Sequence, residues 1–175
     1  MTILVLGSNG SGKSAYAEKL TLRLAGGTAV YMATMIPYGS AGQARVAKHQ
    51  ARRASGGFIT IEQPLQVSSA PLPPEAVILL EDVSNLLGNS MFSGSRSGNA
   101  DSVYEDITAL CLKCHAAVLV SITGLSCETT YNQETNCYLK ELNRLNDQLS
   151  DFADTVIRMR GGEPALLKGF AYELD

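Results

Sequence analysis

No apolar run in this 175-residue sequence reaches the length a membrane-spanning helix needs. Nor is there a basic excess: 14 Lys and Arg stand against 17 Asp and Glu, a net charge of −3. That balance argues against a nucleic-acid partner, which would want a positively charged face. No basic n-region and no cleavage site precede the first apolar residues, so a cytoplasmic location is expected. Histidine is scarce, with only two in the chain, and each one therefore counts as a candidate for chemistry. No internal repeat and no compositional break divides the sequence, so residues 1–175 are expected to form one domain.

Cysteine is limited to Cys111, Cys114, Cys127 and Cys137, expected to be thiols in a reducing compartment. Cys111-Leu112-Lys113-Cys114-His115 has the spacing of a c-type haem attachment site. Neither export nor an apolar haem pocket accompanies it, so it is read as the end of an amphipathic helix ahead of a buried strand. A zinc site from Cys111, Cys114, His115 and Cys127 stays open, although no second paired-ligand motif supports it.

What is present is apolar: 45% of the residues are hydrophobic. Ile3, Leu4, Val5 and Leu6 form a continuous run that suits a strand buried on both faces. A helix is predicted over 13–24, ended by Gly26 and Gly27, then a strand over 28–33. After a glycine break at 39–42 come a helix over 43–54 and a strand over 58–62. Residues 64–75 carry four prolines and predict a surface loop. A buried strand over 76–80 ends in Glu81 and Asp82. Helices follow over 83–92 and 102–114, joined by a flexible connector at 93–100. Next come a buried strand over 116–122 and a polar loop. The helix over 134–152 sets Leu139, Leu142, Leu145 and Leu149 on one stripe. Two strands, 155–160 and 165–168, flank the Gly161-Gly162 turn. Strands alternating with helices predict a parallel sheet with right-handed crossovers, and the last pair predicts an antiparallel edge hairpin.

Gly7-Ser8-Asn9-Gly10-Ser11-Gly12-Lys13-Ser14 satisfies G-x-x-x-x-G-K-[ST] at every defined position. Its context is right as well, since an apolar strand precedes it and a helix follows. Glycines let backbone N–H groups turn inward around phosphate oxygens, and the helix aims its positive end at the same anions. Lys13 supplies a point charge for the β- and γ-phosphates, and the Ser14 hydroxyl is placed to ligate Mg²⁺. The expected fold class is therefore α/β, a P-loop NTPase (RecA-like) three-layer sandwich with a mostly parallel sheet and an antiparallel edge hairpin. Glu81 and Asp82 are candidates for the acidic group near the metal; a solvated strand end or a helix N-cap is the other reading.

Arg45, His49 and Arg53 stand at i, i+4 and i+8, on one face of the predicted 43–54 helix. A neutral imidazole is a competent nucleophile near pH 7. Flanking arginines would hold phosphates and favour the neutral ring. A solvated basic helix face fits the same spacing.

Together these stretches resemble the bifunctional adenosylcobinamide kinase / adenosylcobinamide-phosphate guanylyltransferase family of cobalamin biosynthesis. The likeness runs from Ile3 through Ser14, Ala17 and Glu18 to Tyr31-Met32-Ala33-Thr34. It continues through the R-[IV]-x-x-H-x-x-x-R signature, here Arg45 to Arg53, and through Phe58, Thr60 and Glu62. Leu79-Leu80-Glu81 and Asn89 follow, then Asn146, Leu149, Ala153, Asp154 and Val156, with Pro164 and Lys168 at the end.

The resemblance implies a nucleotide site of Gly7, Ser8, Asn9, Gly10, Ser11, Gly12, Lys13 and Ser14 with Ala33, Thr34 and Met35. Gln50, Ala51, Arg52, Arg53, Glu62 and Glu81 complete it. Catalysis falls to Lys13 and His49, with His49 taking the guanylyl group, and metal ligation to Ser14 and Glu81. Arg45, Arg52 and Arg53 are implied to hold the phosphates, and Glu62 and Glu81 to contact guanine, ribose or metal. GTP, ATP and Mg²⁺ are the implied cofactors, adenosylcobinamide the substrate, and a homotrimer the implied assembly. The chain departs from the family at Ser121-Ile122-Thr123-Gly124-Leu125, where an amide and an acid are missing, and at 126–135, where an arginine is missing. Glu128 and Glu134 are candidates to replace the acid. Two other readings remain: a P-loop kinase for another small metabolite, and a nucleotide-binding homologue that has lost one activity.

Overall fold

The structure, a computed structural model, describes residues 1–36, 56–93 and 98–172. The predicted helix over 43–54, and with it Arg45, His49, Gln50, Ala51, Arg52 and Arg53, lies outside the described residues.

Seven strands form one sheet: β1 (Thr2–Gly7), β2 (Ala29–Ala33), β3 (Phe58–Glu62), β4 (Val77–Glu81), β5 (Ala116–Ile122), β6 (Thr155–Arg160) and β7 (Glu163–Lys168). Their order is β3-β2-β4-β5-β1-β6-β7. Every neighbouring pair is parallel except β6 and β7, which pair antiparallel as the edge hairpin. Four helices are described: α1 (Lys13–Ala25), α2 (Val83–Phe92), α3 (Ala100–Cys111) and α4 (Gln133–Phe152). The mostly parallel three-layer arrangement expected from the sequence is the one observed.

Alternation along the strands divides the core in two. Ile3, Val5, Tyr31, Leu79, Val118 and Val120 face α1 and pack on its Ala17 and Leu20. Leu4, Leu6, Met32, Ile78, Leu80 and Leu119 point to the other face, where Leu87, Ile107 and the Leu142, Leu145 and Leu149 stripe of α4 cover them. With both faces covered, the inner strands must be apolar throughout, and β1 is buried at all six positions.

The ends of the helices follow local chemistry. Gly26 closes α1 in the left-handed region at φ 60°. Asn99 caps α3 and forms a reciprocal capping box with Ser102, so that helix begins at Ala100 rather than two residues later. It stops at Cys111, three residues before the expected end. Within the proline-rich 64–75 loop, Val67–Ser69 forms a 3-10 turn. Asp106 of α3 organises that turn by accepting the Val67 and Ser68 N–H groups at 2.8 and 2.9 Å.

Cys111 is buried, Cys114 partly buried, and Cys127 and Cys137 exposed; all four are free thiols. Burial pushes the Cys111 thiol up to about 12 and the Cys114 thiol up to about 11. Among the described residues, no group of three His, Cys, Asp or Glu side chains is placed to hold a metal ion. No described helix is long and apolar enough to cross a membrane.

Leu119 lies at the centre of the sheet with no solvent exposure. Leu119→Ala is expected to lower unfolding stability by about 3 kcal/mol through lost burial and a residual cavity, read as a shift of the urea midpoint at unchanged slope.

Candidate functional site

Parallel strands bring their C-terminal ends to one edge of the sheet, where ligands of open α/β folds collect. Gly7 ends β1 beside Ile122 of β5 and Met159 of β6. Glu81 ends β4 level with Val120 of β5, and so with Val5 of β1, two residues below Gly7. Ala33 ends β2 in register with both Glu81 and Glu62. The sequence candidates Gly7, Ala33, Glu62 and Glu81 thus share one edge, together with the loop that leaves it.

The loop from Gly7 to Ser14 is built on positive φ angles, 72° at Gly10 and 85° at Gly12, that side-chain-bearing residues rarely adopt. A Cβ at Gly7 would run into the Ser11 side chain. The turn is held by the Ser11 N–H donating to the Ser8 carbonyl at 3.3 Å and by the Gly162 N–H donating to the Ser11 carbonyl at 3.2 Å. The β6–β7 turn therefore buttresses the loop from outside.

Helix α1 opens with no side-chain cap and no acidic residue in its first turn, which leaves its positive end for an anion. Lys13 Nζ donates to the Ser8 carbonyl at 3.4 Å and so lies across the loop. Ser14, the second residue of α1, is partly buried, and the buried Ser11 Oγ has no hydrogen-bond partner among the described residues. Unspent donors on a glycine-built concavity fit a polyphosphate.

The acidic corner is braced by Thr34. This fully buried residue donates its hydroxyl to the Asp82 carbonyl at 2.8 Å and accepts the Asp82 N–H at 2.8 Å. Its N–H donates to the Glu81 carbonyl at 3.1 Å. Asn89 Nδ2 donates to the Thr34 carbonyl at 2.7 Å and to the Pro64 carbonyl at 3.0 Å. Thr34, a predicted nucleotide contact, spends its hydroxyl on this corner.

The two acids take different roles. Glu81 Oε2 accepts the Tyr31 hydroxyl at 2.8 Å. Asp82 caps α2, its Oδ1 accepting the Asn85 N–H and the Ser84 hydroxyl, each at 2.7 Å. Burial is the main cause raising the Asp82 carboxyl above the usual aspartate range, and neighbouring Glu81 adds to it. The Ser84 and Asn85 hydrogen bonds and the charge of Lys13 pull the other way. Asp82 therefore lies within electrostatic reach of Lys13, and the helix-cap and near-nucleotide readings of this residue are compatible.

Met35 and Glu62 are exposed at the same edge. In the region that departs from the family pattern, the Thr123 N–H donates to the Gly7 carbonyl at 3.1 Å, joining that segment to the start of the loop. Glu128 is exposed, its backbone pinned by Asn136 at 3.1 and 2.9 Å, and Glu134 is exposed in the first turn of α4. Sequence reasoning missed the bracing role of Thr34 and Asn89. It also missed Arg158 and Arg160, which line a cleft beside Gly7 and Ser8. The only local signal for the arginines is a pair of cations at alternating positions of an otherwise apolar strand.

Comparison with known proteins bears on this arrangement. The family model described as cobinamide kinase / cobinamide phosphate guanyltransferase matches residues 3–167. A comparison with curated proteins gives no match. Among solved structures, the flagellar accessory protein FlaH from Methanocaldococcus jannaschii superposes with a TM-score of 0.51 at 14% identity. The match covers 99% of this chain and 82% of that one, and the likeness is one of fold.

Two outcomes are expected at the acidic corner. Thr34→Val removes both hydroxyl hydrogen bonds and should cost about 1–3 kcal/mol in a urea titration, whereas Thr34→Ser, which keeps them, should cost less. The folded Asp82 carboxyl holds its proton to higher pH than in the unfolded chain. The native state is therefore penalised as pH rises from the usual aspartate range to the raised folded value, and fully above it. Asp82→Asn keeps a good cap without that titration. The stability of Asp82→Asn relative to the parent should rise through that window and level off above it.

Proposed function

The chain belongs to the cobinamide kinase / cobinamide phosphate guanyltransferase family, and on that premise we propose that it carries out both reactions on one strand edge. Membership makes it a transferase of cobalamin biosynthesis with a nucleotide-binding P-loop. In the proposed first reaction, the hydroxyl of the aminopropanol arm of adenosylcobinamide attacks the γ-phosphorus of ATP or GTP. A new O–P bond forms, the bond to the β-phosphate oxygen breaks, a nucleoside diphosphate leaves, and the hydroxyl proton is released to solvent. Gly7 to Gly12 orient the phosphates through backbone N–H groups, and Lys13 offsets the negative charge that builds on them. The Ser14 hydroxyl and the Glu81 carboxylate would hold Mg²⁺, which would supply neutralisation of phosphate charge. The Tyr31 hydroxyl on Glu81 Oε2 would hold that carboxylate in one orientation.

In the proposed second reaction, an imidazole nitrogen of His49 attacks the α-phosphorus of GTP and expels pyrophosphate. The phosphate oxygen of adenosylcobinamide phosphate then displaces the imidazole from the same phosphorus, yielding adenosylcobinamide-GDP and free His49. Splitting one displacement into two is the advantage of the covalent route. The support for His49, with Arg45, Gln50, Ala51, Arg52 and Arg53 around it, is the R-[IV]-x-x-H-x-x-x-R signature. Ala33, Thr34, Met35 and Glu62 complete the proposed nucleotide surround. A single domain over 1–175, a cytoplasmic setting and a homotrimer belong to the same reading. The exposed Leu166, Leu167 and Phe170 at the β7 edge are consistent with a buried subunit contact.

The observation that carries the proposal is the loop itself: unspent donors and Lys13 between a buried strand and a helix, in a chain matched by this family over residues 3–167. Incubation with adenosylcobinamide, GTP and Mg²⁺, with products identified by mass, tests it. Phosphorylated and GDP-linked products are expected in sequence. Phosphorylation alone would reduce the protein to a kinase, and no product at all would remove the assignment. Lys13→Ala should lower phosphoryl transfer by about a hundredfold or more. GTP labelled at the α-phosphate should leave acid-labile label on the parent and none on His49→Ala.

A further inference from the structure

Strand β6 lies next to β1, so its C-terminal end stands beside the start of the phosphate loop. With side chains alternating along a strand, Arg158 and Arg160 share one face there, opposite the face of Met159 that packs toward α1. Both arginines line a cleft of about 270 Å³ whose wall is completed by Gly7, Ser8, Thr123, Gly124 and Met159. At about 30 Å³ per water, that space takes a phosphoryl group with its hydration and is too small for a corrin macrocycle.

The charges around this cleft are unbalanced. Neither arginine closes an ion pair among the described residues. Glu163 stands opposite Arg160 in the β6–β7 ladder, yet no side-chain ion pair within 4 Å joins them. The buried Arg158 Nε has no hydrogen-bond partner among the described residues. Leaving a buried charged donor unmade is costly unless something supplies the acceptor. Lys13 Nζ meets the Ser8 carbonyl, and Ser8 also lines the cleft, so a third cation stands beside the two arginines in a chain whose net charge is −3.

We propose that Arg158 and Arg160 form a phosphoryl subsite next to the loop, receiving a phosphate group that the loop's own backbone does not enclose. The inference rests on the loop being a polyphosphate cradle. The chemistry is that of a phosphate anion bound by planar guanidinium donors. It has two sources: the terminal phosphate of the nucleotide seated on the loop, or the phosphate of the acceptor.

The test uses Arg158→Gln and Arg160→Gln in the full chain, with calorimetric titration of GTP and GDP in the presence of Mg²⁺, and of inorganic phosphate into GDP-loaded protein. If the nucleotide supplies the group, GTP affinity falls about tenfold or more while GDP affinity holds. If the acceptor supplies it, GTP and GDP bind as in the parent. Phosphate binding to the GDP-loaded protein is then weakened, and KM for adenosylcobinamide phosphate rises about tenfold with KM for adenosylcobinamide unchanged. Arg158→Lys, which keeps charge and loses the fork, should fall between parent and Arg158→Gln. Unchanged GTP affinity, phosphate binding and KM in both glutamine variants would overturn the proposal. Equal GDP affinity shows that a variant is folded; where Arg158→Gln does not fold, the exposed Arg160→Gln decides alone. A parent that discriminates GTP from GDP through these arginines but converts no cobinamide would sink the assigned reaction and leave the subsite standing.

Discussion

Between Gly7 and Lys13 the chain leaves a strand with no solvent-facing side and enters a helix within six residues. Nothing bulky can sit inside the bend, because a side chain at Gly7 would occupy the space of Ser11, and Gly10 and Gly12 take left-handed backbone angles. The price of this conformation is the backbone entropy of three glycines and a helix start without a cap. What results is a glycine-built concavity at an uncapped helix start, with the buried Ser11 hydroxyl unpartnered among the described residues and Lys13 lying across it. An anion completes that arrangement, and the sheet order decides which side chains can reach it.

The edge around the loop is made rigid by hydrogen bonds that cross between strands rather than run along them. Thr34 ties the end of β2 to the Glu81–Asp82 peptide, and Asn89 ties Thr34 to the loop after β3. On the other side, the buried Asn146 of α4 accepts from the Ser121 hydroxyl at 2.6 Å and donates to the Ile122 carbonyl at 2.9 Å. It thereby holds the end of β5, whose next residue, Thr123, bonds the Gly7 carbonyl. Asp82 illustrates the balance at such a corner. Desolvation disfavours its charge, while the cap of α2 and the nearby Lys13 favour it. A carboxylate held between those terms feels the charge of Lys13 and also starts the helix that covers the sheet.

Most of the fold was legible because its signals are local. Four consecutive apolar residues before a glycine-rich loop can only be a doubly covered strand, and the leucines of α4 repeat at helical spacing. Strand and helix ends were less legible, since they depend on single hydrogen bonds. The capping box of Asn99 moved the start of α3 forward, and a carboxylate 39 residues away set the turn at Val67–Ser69. The Cys111–His115 run is parted for the same reason: the helix ends at Cys111, which turns into the core, while His115 faces Glu75 at 3.3 Å near the surface.

By itself the sequence determined the chemistry of the loop, the alternation of strands and helices, and the family likeness, because each is written in residues close along the chain. Tertiary structure alone decided which distant residues meet that loop. Arg158 and Arg160 follow Ser8 by some 150 positions, and they reach its cleft only because β6 pairs with β1. Thr34 becomes a brace rather than an open hydroxyl only because β2 ends beside β4. Spacing along a chain carries local geometry, whereas the neighbours of a strand end are set by sheet order, which arises from how the whole core is covered.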